Sequence, residues 1–521
     1  MIEKNSIRFN NSEAASKYLF NTFKYLLILS SIMQLLIDSD SKNIYSIIII
    51  AISSLLTISY LYKNKIFYSH PLIALSILAF NFSTQSGALI VQSFTFTNLI
   101  EFLESPIESF FFSSLFEFSL LFSLHLFKNN FLFNVWQEKI RLKYLYKTKL
   151  MIPPSINQLW IMGFIGIISL YLQLRYVGST SEGIAFGDVG GKFLQGLIFF
   201  VNAPFLLLIY NKIYLTKKAS RNNFIYILFY LLLLLIIAVA VNARYFLIVG
   251  VTNVALMFFV YLLSGQITLQ KKSVFNLSFI FIIFLLIFPI ISDLSTSMVV
   301  ARNDRGTANA SEMIEQTLYI FNNNEVLNDY RENELELSKL GGTELYIKNP
   351  LLNRFISTKY LDRTISYVDA YISQGNNSFI SITTDKILSF LPSPILKMLG
   401  VDKNDIFEYS FGDRFYFLES GMLITGMKTG SNVAHAMALF GKFLFPIFLI
   451  PFFLLIFFAI SVFESANKVR YLLCPAIILQ LYPIYTLFIS DSLADAFVLI
   501  LRLIPQTLLF YWIVLKLTKN I

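Results

Sequence analysis

Residues 224–263 read FIYILFYLLLLLIIAVAVNARYFLIVGVTNVALMFFVYLL. The run is apolar from Phe224 to Val241, is interrupted by Asn242, Ala243 and Arg244, and turns apolar again from Tyr245 to Leu263. A helix needs about 20 residues to cross a hydrocarbon core about 30 Å thick. Two such runs back to back, with one three-residue turn between them, read as a membrane hairpin, and the rest of the chain repeats the pattern.

Of the 521 residues, 56% are hydrophobic and only 14% charged, which excludes an ordinary soluble protein of this length. The spacing predicts about twelve spans, near 23–37, 44–62, 72–94, 107–127, 158–174, 193–210, 224–241, 245–263, 277–292, 443–462, 471–489 and 497–515. The first lacks a small-residue cleavage site and reads as a retained span rather than a signal peptide. The expected fold is therefore an all-α polytopic membrane protein with one large, partly helical extracytoplasmic loop. Its parts are an N-terminal bundle of about nine helices (1–292), the loop (293–432) and about three C-terminal helices (433–521).

Orientation follows from the basic residues of the short connections. With both termini cytoplasmic, twenty-one Lys and Arg fall in cytoplasmic segments, against Lys42, Arg175, Lys192 and Arg244 in the short outer ones. The same distribution accounts for the net charge of +9 without a nucleic-acid partner. The single cysteine, Cys474, leaves no material for an intrachain disulfide or a thiolate metal cluster, and nothing points to a metal or organic cofactor.

The loop is far longer than a usual connection. It carries helix-like stretches: Asn309 with Glu312 resembles a capping box, and Leu351, Phe355, Leu361, Ile365, Val368 and Ile372 recur near helical spacing. No internal repeat relates the two halves, which weighs against an inverted-repeat transporter.

Several residues are chemically out of place. Arg244 is either a snorkelling turn arginine or an anion clamp, its fork of donors matching phosphate oxygens. Asp495 and Arg502 stand seven residues apart on one expected helix and read as a structural ion pair or as cavity groups. Glu117 in the fourth span and NFSTQSG (81–87) in the third mark an interior cavity or a polar helix contact. The loop holds Arg302, Arg305, Arg354, Asp362, Arg363, Asp413, Arg414 and Lys428. Each alone reads as a solvated charge; together they predict a cationic outer vestibule. His435, in GMKTGSNVAHAMALFGK (426–442), is either an interfacial hydrogen-bonding residue or a neutral base that takes a proton from a hydroxyl while arginines hold a departing phosphate.

The plan of many spans, inside termini and one large outer loop resembles the Wzy-type O-antigen and capsular polysaccharide polymerases, relatives of the O-antigen ligases. Arg244 to Gly250, the spacing of His435, Leu439 and Gly441, and the stretches GDVGGKF (187–193), LPSPILKMLGVD (391–402) and KTGSNVAHAMALFG (428–441) carry the resemblance locally. One departure is that Arg363 is followed by Gly375 at twelve residues, where some members have eleven. The resemblance implies a glycosyltransferase of the bacterial inner membrane that joins undecaprenyl diphosphate-linked repeat units on the periplasmic side. In that picture Arg244, Arg302 and Arg305 bind diphosphate, and His435, or more weakly Asp362, activates the acceptor hydroxyl. Arg354, Arg363, Arg414 and Lys428 contact the substrate glycans, lipid-linked donor and acceptor are the partners, and a chain-length regulator joins them by resemblance only. The competing readings are a ligase with a different acceptor and, from another class, a lipid-linked oligosaccharide flippase or other transporter.

Overall fold

The structure is a computed structural model that describes residues 2–176, 189–214, 222–240, 242, 245–268, 287–304, 310–339, 344–347, 349–373, 378–388, 391, 396, 398–400, 410–420, 428–466 and 471–519. Arg244, Arg305, Asn309 and the stretch GDVGGKF up to Asp188 lie outside the described residues.

The principal helices are α1 (Ile2–Ile37), α2 (Ser41–Lys63), α3 (Pro71–Phe94), α4 (Pro106–Asn129), α5 (Ile156–Tyr176), α6 (Val189–Ile198), α7 (Asn222–Ala240), α8 (Tyr245–Leu263) and α9 (Ile287–Val300). In the loop region follow α10 (Ala310–Phe321), α11 (Asn324–Lys339), α12 (Thr358–Ser373), α13 (Ser378–Leu388) and α14 (Phe411–Ser420). The chain ends with α15 (Asn432–Phe440), α16 (Phe445–Ser461) and α17 (Leu493–Leu517). Among the described residues six helices are long and apolar enough to cross a membrane: α1, α2, α3, α4, α7 and α17. A seventh span results if α15 and α16, which meet at 118°, are counted as one broken crossing. The protein is thus a largely helical membrane protein in character, with six to seven such spans among the described residues, which do not include 269–286 of the expected ninth span. The stretches 156–172, 193–208, 250–263 and 287–300 are apolar but shorter.

One expected span has a different build. Residues 471–489 open with the strand Tyr471–Leu473, which pairs antiparallel with Glu464–Ala466, and continue as the short turns Pro475–Ile478 and Leu481–Tyr485. Pro475 and Pro483 interrupt helical hydrogen bonding. Irregular backbone is tolerated at membrane depth where protein buries it, and most of this segment is buried. The Glu464 carboxylate secures it by accepting the backbone N–H of Leu72 at 2.8 Å and the hydroxyl of Tyr471 at 3.0 Å.

At the centre stands α3, 83% of whose apolar window is buried. Phe80 on α3 meets Phe116 on α4 with ring centroids 4.8 Å apart, and Phe116 meets Phe453 on α16 at 5.2 Å. These rings stitch three helices into one apolar core, in the edge and tilted arrangements that aromatic quadrupoles favour. Halfway along α3 the sequence FSTQS forms a π-turn, Phe82–Ser86. A π-turn leaves backbone groups outside the regular ladder, and two of them are taken up by the loop. The carbonyl of Ser83 accepts the N–H of Ser357 at 2.8 Å, and the carbonyl of Thr84 accepts the Thr358 hydroxyl at 3.2 Å.

The loop is therefore anchored into the bundle through α12. Leu361, Ile365 and Val368 of α12 are buried, as their spacing predicts, but the stretch beginning at Leu351 is no single helix: Pro350–Asn353 forms one turn and the chain breaks before Thr358.

Candidate functional site

Two layers of polar residues lie where the loop meets the bundle, and they differ in what they leave available. In the inner layer every side chain is committed. Asp362 on α12 accepts the backbone N–H groups of Glu104 at 2.6 Å and Ser105 at 3.0 Å and the Ser109 hydroxyl at 2.8 Å. Glu104 and Ser105 precede α4, which Pro106 starts, so Asp362 caps that helix from a distant part of the chain. Burial raises the pKa of its carboxyl, and the Glu104 and Ser105 N–H groups, the Ser109 hydroxyl and Lys359 pull it back down. As a fully buried cap with three donors, Asp362 has no route to an acceptor hydroxyl.

His435 is equally enclosed. Its Nδ1 accepts the backbone N–H of Leu493 at 3.1 Å, which places the proton on Nε2, 2.7 Å from the Thr383 hydroxyl. The ring packs 4.3 Å from Phe411 and is fully buried. It thus joins α13, α14, α15 and α17, and neither nitrogen is left to serve as the expected base. Beside it, Asp491 accepts the N–H groups of Gly430 at 2.6 Å and Phe411 at 3.1 Å. Lys386 bridges Asp491 at 3.4 Å and Asp495 at 3.0 Å. Burial disfavours its ammonium, but Asp495 and Asp491 outweigh that cost and hold its pKa above the ordinary lysine value. A β-carbon on Gly430 would collide with Asp491, so glycine is required for this approach. Of the two readings of Asp495 and Arg502, the structural ion pair does not form. Asp495 closes a capping box with Ser492 and meets Lys386, whereas Arg502 donates to Gln195 at 2.8 Å.

The outer layer is the more open one. Glu344 is half-buried and accepts the backbone N–H of Thr429 at 2.9 Å. Lys428, Arg363 and Arg354 all lie within its electrostatic reach. Burial raises the pKa of Glu344, and the Thr429 N–H with these three cations lowers it in part. Three of the four predicted glycan-contacting cations are therefore brought together, around an acid that the sequence reading passed over. Arg354 is exposed, and Arg363 is buried with its Nε 3.7 Å from Glu104. Lys428 donates its backbone N–H to Asp413 at 2.8 Å and sets its ammonium 3.4 Å over the ring of Tyr416, which meets Tyr367 at 6.3 Å. Tyr482, half-buried, lies in the field of Arg354. Arg414 is half-buried on α14, and Arg302 is exposed on the short turn Ala301–Asp304. The result is a mixed surface of cations and tyrosines around one perturbed carboxyl, of the kind that marks functional sites more often than chance. No group of His, Cys, Asp and Glu able to hold a metal ion occurs among the described residues.

Comparison with known proteins adds no further constraint: no family model, no curated protein and no solved structure matches the chain.

Proposed function

We propose that the protein is a membrane glycosyltransferase that polymerises undecaprenyl diphosphate-linked oligosaccharide repeat units on the outer face of a bacterial inner membrane. The observation that supports this reading is that Arg354, Arg363 and Lys428 all lie within electrostatic reach of Glu344, with Tyr416 under the Lys428 ammonium and Tyr482 in the field of Arg354. Guanidinium and ammonium groups neutralise a diphosphate leaving group, and tyrosine rings offer flat faces to the apolar sides of sugars.

In this mechanism the acceptor hydroxyl attacks the anomeric carbon of the donor while the bond from that carbon to the diphosphate oxygen breaks. The hydroxyl proton passes to the ionised Glu344 carboxylate, and the departing diphosphate takes its negative charge to the arginines and Lys428. A carboxylate made more basic by burial is suited to this transfer. The roles first given to His435 and Asp362 thereby pass to Glu344, while Arg244, Arg302 and Arg305 remain candidate diphosphate ligands by position in the sequence. The direct test is the purified protein incubated with its lipid-linked repeat unit and the products resolved by size. A ladder lost in a folded Glu344→Gln variant supports the reading, and no ladder from the folded wild type with authentic substrate refutes it.

A second reading, a lipid-linked oligosaccharide flippase or other transporter, is favoured by one observation, the buried polar cluster around Glu117. A deletion strain separates the two. Loss of a polymerase leaves single units outside the membrane, and loss of a flippase traps them inside.

A further inference from the structure

Glu117 lies at the middle of α4, is fully buried, and meets no cation among the described residues. Its Oε2 accepts the side-chain amide of Asn81 at 3.0 Å, and that amide also donates to Ser54 at 3.0 Å. Ser53, Thr57 and Gln85 face the same carboxyl. Ser53 donates to Gln85, and Ser86 donates to Asn81 at 2.7 Å. Against this well-bonded background three buried atoms are left over: Oε1 of Glu117, the Thr57 hydroxyl oxygen and Nε2 of Gln85. Such clustering of unmet polar atoms around one carboxyl in a spanning helix needs a physical reason.

An ionised carboxylate here would have hydrogen-bond donors but no countercharge among the described residues. The span α3 contains no titratable residue, and neither does α16. The titratable residues of α4 nearest in sequence are His125 and Glu108, which at 1.5 Å per residue lie about 12 and 14 Å away along the helix. Tyr45 and Tyr60, with Lys42, Tyr62 and Lys63, stand toward the ends of α2. On α12 the nearest charges are Lys359 and Asp362, the latter at the start of α4, and on α15 only the neutral, doubly bonded His435 titrates. An isolated charge without a partner is expelled from such surroundings, and a carboxyl can meet that demand by binding a proton.

We infer that Glu117, with Ser53, Ser54, Thr57, Asn81 and Gln85, forms a proton-binding site inside the membrane-spanning bundle, its carboxyl carrying an exchangeable proton at neutral pH. A proton on Oε1 can be donated to the Thr57 hydroxyl oxygen, one of the buried atoms left over, while Asn81 continues to serve Oε2. The site adjoins the π-turn of α3, whose other side holds Ser357 and Thr358 of α12. There a cavity of about 10 Å³, room for a single water, is lined by Thr84, Ser357 and residues 430–432. A proton entering or leaving Glu117 would thus act on the helix that anchors the loop.

The experiment is infrared spectroscopy of the full-length protein in lipid nanodiscs. A carbonyl stretch of a neutral carboxylic acid, present at neutral pH, shifted in D₂O and missing from Glu117→Gln, supports the site. Absence of that band from the wild type, or its persistence in Glu117→Gln, overturns it. So does a sodium-dependent rise in Tm that Glu117→Gln abolishes, because the cluster would then hold a metal ion. Should the glutamine variant fail to fold, Asn81→Ala removes the donor to Oε2 and must shift the same band; an unshifted band overturns the assignment. Neither readout involves glycan chemistry, so failure here is distinguishable from failure of the glycosyltransferase reading.

Discussion

The carboxylate of Asp362 accepts the hydroxyl of Ser109 at 2.8 Å across 253 positions of sequence, and with it caps the first turn of α4. A cap supplied by a loop makes one helix of the bundle depend on the loop being in place. Asp362→Ala leaves the N–H groups of Glu104 and Ser105 without an acceptor, and the expected loss is about 1–3 kcal/mol of stability. Thermal unfolding in detergent measures it. Glycan assembly per folded molecule should stay near the wild-type level; its complete loss in folded protein would return a chemical role to Asp362.

His435→Ala removes the acceptor of the Leu493 N–H, the partner of Thr383 and the ring packed on Phe411. The expected cost is about 3 kcal/mol, most of it from the cavity and the stranded polar groups. Polymer yield should fall with the amount of folded protein and no further. A folded His435→Ala with normal melting and no product would contradict this assignment.

Glu344→Gln should abolish product formation with little change in fold, since glutamine retains the oxygen that meets the Thr429 N–H. Wild-type activity should rise with pH as Glu344 ionises, on a limb displaced above the ordinary glutamate value of 4.5. Stability has the opposite slope. The folded protein binds this proton more tightly than the unfolded chain, so the contribution is complete below the unfolded value and is lost as pH rises through the elevated folded one. Chemical denaturation across that window, repeated in Glu344→Gln, should show a flatter dependence in the variant.

Lys428→Ala and Arg354→Ala each remove one positive charge near the proposed diphosphate. Each should raise KM for the lipid-linked donor roughly tenfold with a smaller effect on kcat, and the wild-type KM should rise with added salt. Steady-state kinetics at two ionic strengths tests this. Unchanged KM in both variants would place the donor elsewhere.

The membrane character was legible because it rests on long apolar runs: α2, α4, α7 and α17 come within a few residues of their expected limits. The segment 471–489 was not, since composition cannot distinguish a span from a buried chain folded as a hairpin and turns. Helical spacing put Arg502 on the face of Asp495, but a π-turn at Leu499–Leu503 interrupts the regular phase between them. The sequence reading named Arg354, Arg363, Arg414 and Lys428 as loop cations but passed over Glu344, whose surroundings depend on residues 85 positions away. For His435 and Asp362 the residue type suggested chemistry, while their partners, 58 and more than 250 positions distant, are what consume both side chains.

The bridge from Lys386 to Asp491 and Asp495 orders events during synthesis. A ribosome makes Arg354, Arg363 and Lys428 before it makes the two aspartates that meet Lys386. Until the C-terminal residues from Asp491 on are in place, Lys386 lacks Asp491 and Asp495, the N–H groups of Gly430 and Phe411 lack the Asp491 carboxylate, and the His435 ring lacks the Leu493 N–H. The nascent chain must therefore wait with this polar region unfinished, and a stop codon ahead of residue 491 would disable a region that had already been translated in full.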